Sequence, residues 1–349
     1  MSNLPPSGEI PRGAIRFNTD SNKPELWDGS QWAEFQLSTP NLGTSGDRQP
    51  GARGLFGGGY DAPAEKDVID YINISSTGNA IDFGNLAAAI QLPMGGSSNT
   101  RAVFAGGLNS PADSYNVIQY VTIASTGDTV DFGDRTVGSA NNSGGCSNQT
   151  RGLFNGGNTY NPFTPVNVID YITIASTGDA VDFGDLHEGA TQQAAISSPT
   201  RGIFAGGYAP GTPHNDKLME FVTIATLGDA TDFGEFAASQ AIRMGGVSSP
   251  TRGLFAGRNT DVSAIDAITM TSLGNAINFG NLSTGRRFLT GTSSPIRGVF
   301  AGGNGPADYS GENVIDYVQF ASEGNAVDFG DLTSARGRCK GLSNAHGGL

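Results

Sequence analysis

Asp-Phe-Gly occurs five times in the chain, and Asn278-Phe279-Gly280 makes a sixth copy. Such an Asp can hold Mg²⁺ during phosphoryl transfer, but only beside a phosphate loop, a Lys–Glu pair and a catalytic loop. None of these accompanies any copy, and every copy follows the same turn, so the tripeptide reads as structural. Asp128, Asp131 and Asp134, like Asp179, Asp182 and Asp185, could gather around Ca²⁺. Their spacing lacks the EF-hand glycine and terminal glutamate, so they read as solvated turn caps. His187, His214 and His346 have no i, i+4 spacing and no Cys partners, which argues against a metal site. Cys146 and Cys339 are too few for a disulfide framework. No nucleophile elbow G-x-S-x-G is present. No catalytic residue, metal or cofactor is expected, and the chain is expected not to be an enzyme.

Arg53, Arg101, Arg151, Arg201, Arg252 and Arg297 each open a segment of the form R-G-x-F-x-G-G, with Ala102 and Arg258 as departures. A parallel row carries Asp70, Gln119, Asp170, Glu220, Asp266 and Asp316. A ring of arginines could bind an anion. The favoured reading is a structural pair in each repeat, the guanidinium forking onto a carboxylate of this row or of the Asp-Phe-Gly row.

The elements that would carry these residues follow from the repeat. The arginines recur at intervals of 45 to 51 residues, and one more step reaches His346 in A-H-G-G-L. Each repeat holds an apolar run such as V-I-D-Y-I-T-I, a tight turn of the type S-T-G-D, a short strand ending in Asp-Phe-Gly, and a Gly/Ser-rich stretch. That makes four short strands per repeat, bounded by turn formers. The apolar runs do not alternate, as expected of strands covered on both faces. Twelve of the 19 Phe fall at two repeat positions, Phe56, Phe104, Phe154, Phe204, Phe255, Phe300 and Phe83, Phe132, Phe183, Phe233, Phe279, Phe329, and should form the core between repeats.

Period, strand count and the Gly-Gly after an apolar strand resemble kelch-type β-propellers. The resemblance covers residues 41–349 and implies an all-β fold with six four-stranded blades. The Gly/Ser stretch would be the first strand, R-G-x-F the second, V-I-D-Y the third and D-F-G the fourth. The usual kelch Trp of the outer strand is missing. Residues 336–349 should close the ring by supplying the first strand of the Arg53 blade, with 41–51 as competitor.

Residues 1–40 do not match the repeat. They read as three short strands, 14–18, 25–27 and 31–35, too small to bury a core alone. Trp27, Trp32, Phe17 and Phe35 are the expected docking surface. G-A-I-R-F-N-T-D-S-N-K-P-E-L-W-D-G-S-Q-W is similar to short modules of bacteriophage tail-fibre and other virion proteins, and the repeats resemble propellers of cyanophage-type virions. The resemblance implies a virion structural protein docked to other virion proteins through residues 1–40, its propeller displayed for assembly or attachment to a host-surface glycan or protein.

A soluble glycan-binding propeller is the alternative. Its ligand would meet the most variable loops, through Tyr60, Tyr115, Tyr160, Phe163, Tyr208 and Tyr309. A net charge of −13 argues against nucleic-acid and anionic-membrane partners. No secretory h-region is visible at the N-terminus, and no apolar run is long enough to span a bilayer.

Overall fold

The computed structural model describes residues 10–18, 23–34, 52–109, 113–139, 144–159, 162–209, 216–260, 262–305 and 310–349. The chain divides into two compact units, Met1–Gln49 and Pro50–Leu349. Every regular element among the described residues is a strand.

In the first unit, Ile15–Asn18, Lys23–Trp27 and Trp32–Glu34 pair antiparallel in sequence order. The Asp28 carboxylate accepts the Ser30 and Gln31 amides at 2.7 and 2.8 Å and closes the second turn.

The second unit contains six antiparallel sheets of at least four strands among the described residues, plus two small ribbons. Sheet 1 is Lys340–Ser343, Arg53–Gly57, Val68–Asn73 and Ile81–Asn85. Sheet 2 is Met94–Ser97, Arg101–Ala105, Asp113–Thr122 and Val130–Ser139, with Leu108–Asn109 also pairing to the third strand. Sheet 3 is Gly145–Ser147, Arg151–Asn155, Val168–Thr173 and Val181–Asp185. Sheet 4 is Ala194–Ser197, Arg201–Ala205, Leu218–Thr223 and Thr231–Glu235. Sheet 5 is Gly245–Ser248, Arg252–Ala256, Ala264–Thr269 and Ile277–Asn281. Sheet 6 is Thr290–Ser293, Arg297–Ala301, Val314–Gln319 and Val327–Asp331. Each sheet stays open. The strand order is the one read from the repeat, and Lys340–Ser343 does pair with Arg53–Gly57, Leu342 opposite Leu55. The competing residues 41–51 lie outside the described residues.

Asp-Phe-Gly acquires a physical meaning here. In each sheet the register between third and fourth strands slips at this tripeptide. In sheet 1, Ile69 faces Gly84 and Asp70 faces Asp82, so Phe83 is the extra residue of a β-bulge. Phe83 is buried and Asp82 exposed. Gly84 has φ +150°, and a Cβ on it would stand 2.3 Å from the carbonyl oxygen of Gly127 in the next sheet's turn. Only glycine allows that approach.

The same close contact caps the outer edge. The amides of Gly127, Gly178, Gly228, Gly274, Gly324 and Gly78 donate to the carbonyls of Phe83, Phe132, Phe183, Phe233, Phe279 and Phe329 at 2.8–3.0 Å. Each bond runs from one sheet's turn to the preceding sheet's fourth strand, and the last runs from sheet 1 to sheet 6. This satisfies carbonyls that an edge strand would otherwise expose.

Along the first strands, the hydroxyls of Ser97, Ser147, Ser197, Ser248, Ser293 and Ser343 each donate to the carbonyl of the equivalent serine one sheet back, at 2.6–2.8 Å. Six apolar clusters lie between neighbouring sheets, the last joining Phe329 and Val299 of sheet 6 to Phe56 and Ile72 of sheet 1. All twelve repeat phenylalanines are buried. Each contributes about 1.5–3 kcal/mol by leaving water.

Candidate functional site

The N-terminal module is built by strand alternation. Arg16 and Asn18 lie on one face with Glu25, Trp27 and Trp32, while Ile15 and Phe17 lie on the other. Arg16 Nε donates to Glu25 Oε2 at 2.6 Å and Asn18 Nδ2 to Oε1 at 2.8 Å. The Asn18 hydrogen bond, with the Arg16 bond and charge behind it, holds the Glu25 carboxyl below its ordinary pKa. The Arg16 guanidinium sits 4.2 Å from the centre of the Trp32 ring, and the Trp27 and Trp32 rings are 5.5 Å apart. Thus R-F-N, Glu, Trp and Trp of the motif hold each other. Trp27 is only 5% exposed and belongs to this packing, which corrects its expected place on a docking surface. Phe17 is 61% exposed, and Ile15, which sequence reasoning passed over, is 67% exposed on the same face. Phe35 lies outside the described residues.

The loop aromatics separate into three groups. Phe163 and Tyr208 are 41% and 45% exposed. Tyr60 and Tyr115 are half-buried, Tyr60 against Arg338 and Tyr115 against the apolar cluster between sheets 1 and 2. Burial first, and the charges of Asp131 and Asp134 after it, push the Tyr115 phenol up. Tyr160 and Tyr309 lie outside the described residues, as does His214.

Among the described residues the repeat arginines do not pair with carboxylates, contrary to expectation. Nη1 of Arg53, Arg101, Arg151, Arg201, Arg252 and Arg297 donates to the main-chain carbonyl of Ile123, Ile174, Ile224, Met270, Phe320 and Ile74, at 2.8–3.1 Å. Each acceptor belongs to the following sheet's repeat, and the sixth to that of sheet 1. Each guanidinium also stacks on a ring 4.5–5.8 Å away: Tyr71, Tyr120, Tyr171, Phe221, Phe279 and Tyr317. The reason is the period of two. Asp70 stands opposite Phe56, three residues from Arg53, so carboxylate and guanidinium emerge on opposite faces of the sheet.

The acidic row finds other partners. Asp70, Asp170 and Asp316 form ion pairs with Arg336, Arg135 and Arg286 at 2.9–3.0 Å, all with side chains at most 1% exposed. Asp266 pairs with Arg258 of its own repeat, and its carboxyl is raised above the ordinary value by burial, against the pull of Arg258. Glu220 accepts the His187 amide, and Gln119 the Ala87 amide. The sequence carried a partial signal for these arginines, because F-G-N-L-S-T-G-R and F-G-D-L-T-S-A-R match at Arg286 and Arg336 but not elsewhere.

Two cavities lie along the first strands. One, of about 50 Å³, is lined by the serine row and His346. The other, of about 70 Å³, is lined by residues including Gln192, Arg243, Phe288 and Arg338. Lys340 lines both; its ammonium donates to the Gly145 carbonyl at 3.1 Å, and burial brings its pKa down to about 8. Burial pushes the nearby Cys146 thiol up to about 12, so it is a thiol and not a nucleophilic thiolate at neutral pH. His346 does not begin another R-G-x-F strand. Its Nδ1 accepts the Gly348 amide at 3.0 Å, so Nε2 carries the proton and faces the Ser97 carbonyl at 3.0 Å. Burial lowers its pKa to about 4.

Among the described residues no group of three His, Cys, Asp or Glu is placed to hold a metal. No protein-family model matches the chain, and no curated protein matches it.

Proposed function

We propose that Pro50–Leu349 is a six-bladed β-propeller with kelch-like strand order, and that the protein is a non-enzymatic structural component of a bacteriophage particle, in a tail fibre, baseplate or capsid appendage. Residues 1–40 dock to other virion proteins, and the propeller is displayed for assembly or host-surface attachment. The observation that carries the propeller is cyclic bonding. The serine row, the arginine row and the outer turn bonds each pass from sheet to sheet and return to the first. A linear stack would leave each series open at both ends.

The particle assignment rests on the resemblance of residues 13–35 to phage modules. The mutual packing of those motif residues supports it, because it leaves Ile15 and Phe17 facing outward as apolar contacts. Deleting residues 1–40 should leave a folded propeller that is no longer incorporated into particles. Incorporation at the normal level would contradict docking through this segment.

A second reading, a glycan-binding propeller, is favoured by the exposure of Phe163 and Tyr208. It expects glycan-array binding that Tyr208→Ala abolishes, and an array with no signal would dismiss it.

A further inference from the structure

In five of the six sheets the third strand carries an aromatic ring opposite the first residue of the fourth strand: Tyr71, Tyr120, Tyr171, Phe221 and Tyr317. Sheet 5 has Ala267 at that position, opposite Ile277. The five rings share one setting, and all are half-buried. The repeat arginine of the same sheet lies over each ring, 4.5–4.9 Å from its centre. The phenylalanine of the same sheet's Asp-Phe-Gly meets the ring at 77–85°, with centres 5.8–6.1 Å apart.

In sheet 5 both walls of this setting are kept and the ring is replaced by a methyl group. Arg252 donates to the Phe320 carbonyl at 2.8 Å, as its counterparts do to theirs. Its guanidinium lies 5.8 Å from the Phe279 ring centre. Among the described residues Phe279 has no ring partner on the third strand, unlike its five counterparts. A cavity of about 200 Å³ lies here, lined by residues including Arg252, Ala267, Thr269, Leu273 and Ile277. Leu273 and Ile277 are each 59% exposed, so neither side chain folds inward to fill it. Well-packed proteins have few voids larger than a water molecule.

We infer that this slot is a binding site for a small monocyclic aromatic molecule of the phenol class, its ring placed between Arg252 and Phe279. An apolar hole of about 150 Å³ already takes up benzene. The guanidinium is attracted to the face of such a ring, and a steep ring pair with Phe279 adds to that. The sister sheets define the ligand: four tyrosines and one phenylalanine occupy the same setting, so a single ring fits and a hydroxyl is tolerated. p-Cresol is the tyrosine side chain without its backbone. Its methyl group would meet the buried Ala267, and its hydroxyl would stay at the open rim beside Leu273. A tyrosine of a partner protein would instead enter hydroxyl first, towards the apolar wall, and lose its hydrogen bonds to water. The slot belongs to neither the particle reading nor the glycan reading, so each can fail without the other.

Calorimetric titration of the full chain with p-cresol, cyclohexanol and N-acetyltyrosinamide tests it. p-Cresol should bind saturably. Cyclohexanol, of similar size but without a π-face, should bind roughly tenfold more weakly. N-acetyltyrosinamide, whose ring is tied to a backbone, should also bind more weakly than p-cresol. Ala267→Tyr supplies the ring from within and should abolish p-cresol binding. Circular dichroism establishes that the variant folds; if it does not, loss of p-cresol binding in Ala267→Leu and the cyclohexanol comparison decide. No saturable p-cresol binding, equal affinity for cyclohexanol, equal affinity for N-acetyltyrosinamide, or unchanged p-cresol affinity in a folded Ala267 variant would overturn the inference.

Discussion

His346 shows how a single side chain couples this fold to pH. Its imidazole is neutral in the folded protein, with a pKa near 4 because desolvation of the half-buried ring disfavours its charged form, against an ordinary value of 6.5. Between these values the unfolded chain binds a proton that the folded chain does not, so this group's contribution to stability is full above pH 6.5 and is lost as pH falls towards 4. The difference amounts to about 3 kcal/mol. Urea unfolding at pH 7 and pH 4.5 should therefore show a smaller acid loss in His346→Gln than in the unaltered protein, and equal losses would remove His346 from the account. Residue identity was only partly legible in the sequence. The six arginines and the acidic row were visible as repeated letters, but their pairing was not. Whether two rows meet depends on which face each occupies, and strand register decides that. The buried arginines at 135, 286 and 336 were harder still, because Arg135 reaches Asp170 from a different offset than Arg286 reaches Asp316. Leu92, Gln192, Arg243, Phe288 and Arg338 all have left-handed backbones, with φ between 55° and 66°, but their side chains show no shared chemistry, so only the backbone reveals that they are equivalent.

At the scale of elements, the strands were readable because turn glycines and β-branched runs recur in a fixed order. The bulge was not, since Asp-Phe-Gly looks like any strand end until the register slips. Its glycine can be tested against the turn glycine. Gly178 and Gly184 have nearly the same φ, +152° and +147°, but a Cβ on Gly178 meets nothing within 4 Å whereas one on Gly184 lies 2.5 Å from the Gly228 main chain. Gly178→Ala should cost about 1–2 kcal/mol of backbone strain. Gly184→Ala should cost that and about 1–3 kcal/mol more from forced repacking. Chemical denaturation of the two variants measures the gap, and equal losses would show that the close approach of bulge and turn does not matter. In the N-terminal module the three strands were foreseen within a residue or two. The burial of Trp27 was not, because a short strand does not announce which face will be covered.

For the whole molecule, the repeat made the sheets and their strand order legible, including the recruitment of residues 340–343 to the first sheet. What a repeat cannot convey is the angle between successive sheets, since the same letters suit a ring or a stack. That angle follows from three layers of contact: serines at the first strands, arginines at the ends of the second strands, and turn glycines at the outer edge. Their agreement is the basis for proposing a propeller. The most direct test is a density map of the isolated protein at a resolution that separates strands. Six sheets around one axis, with Lys340–Ser343 lying beside Arg53–Gly57, are expected. An open row of sheets, a different number of blades, or a terminal strand docked elsewhere would contradict the account.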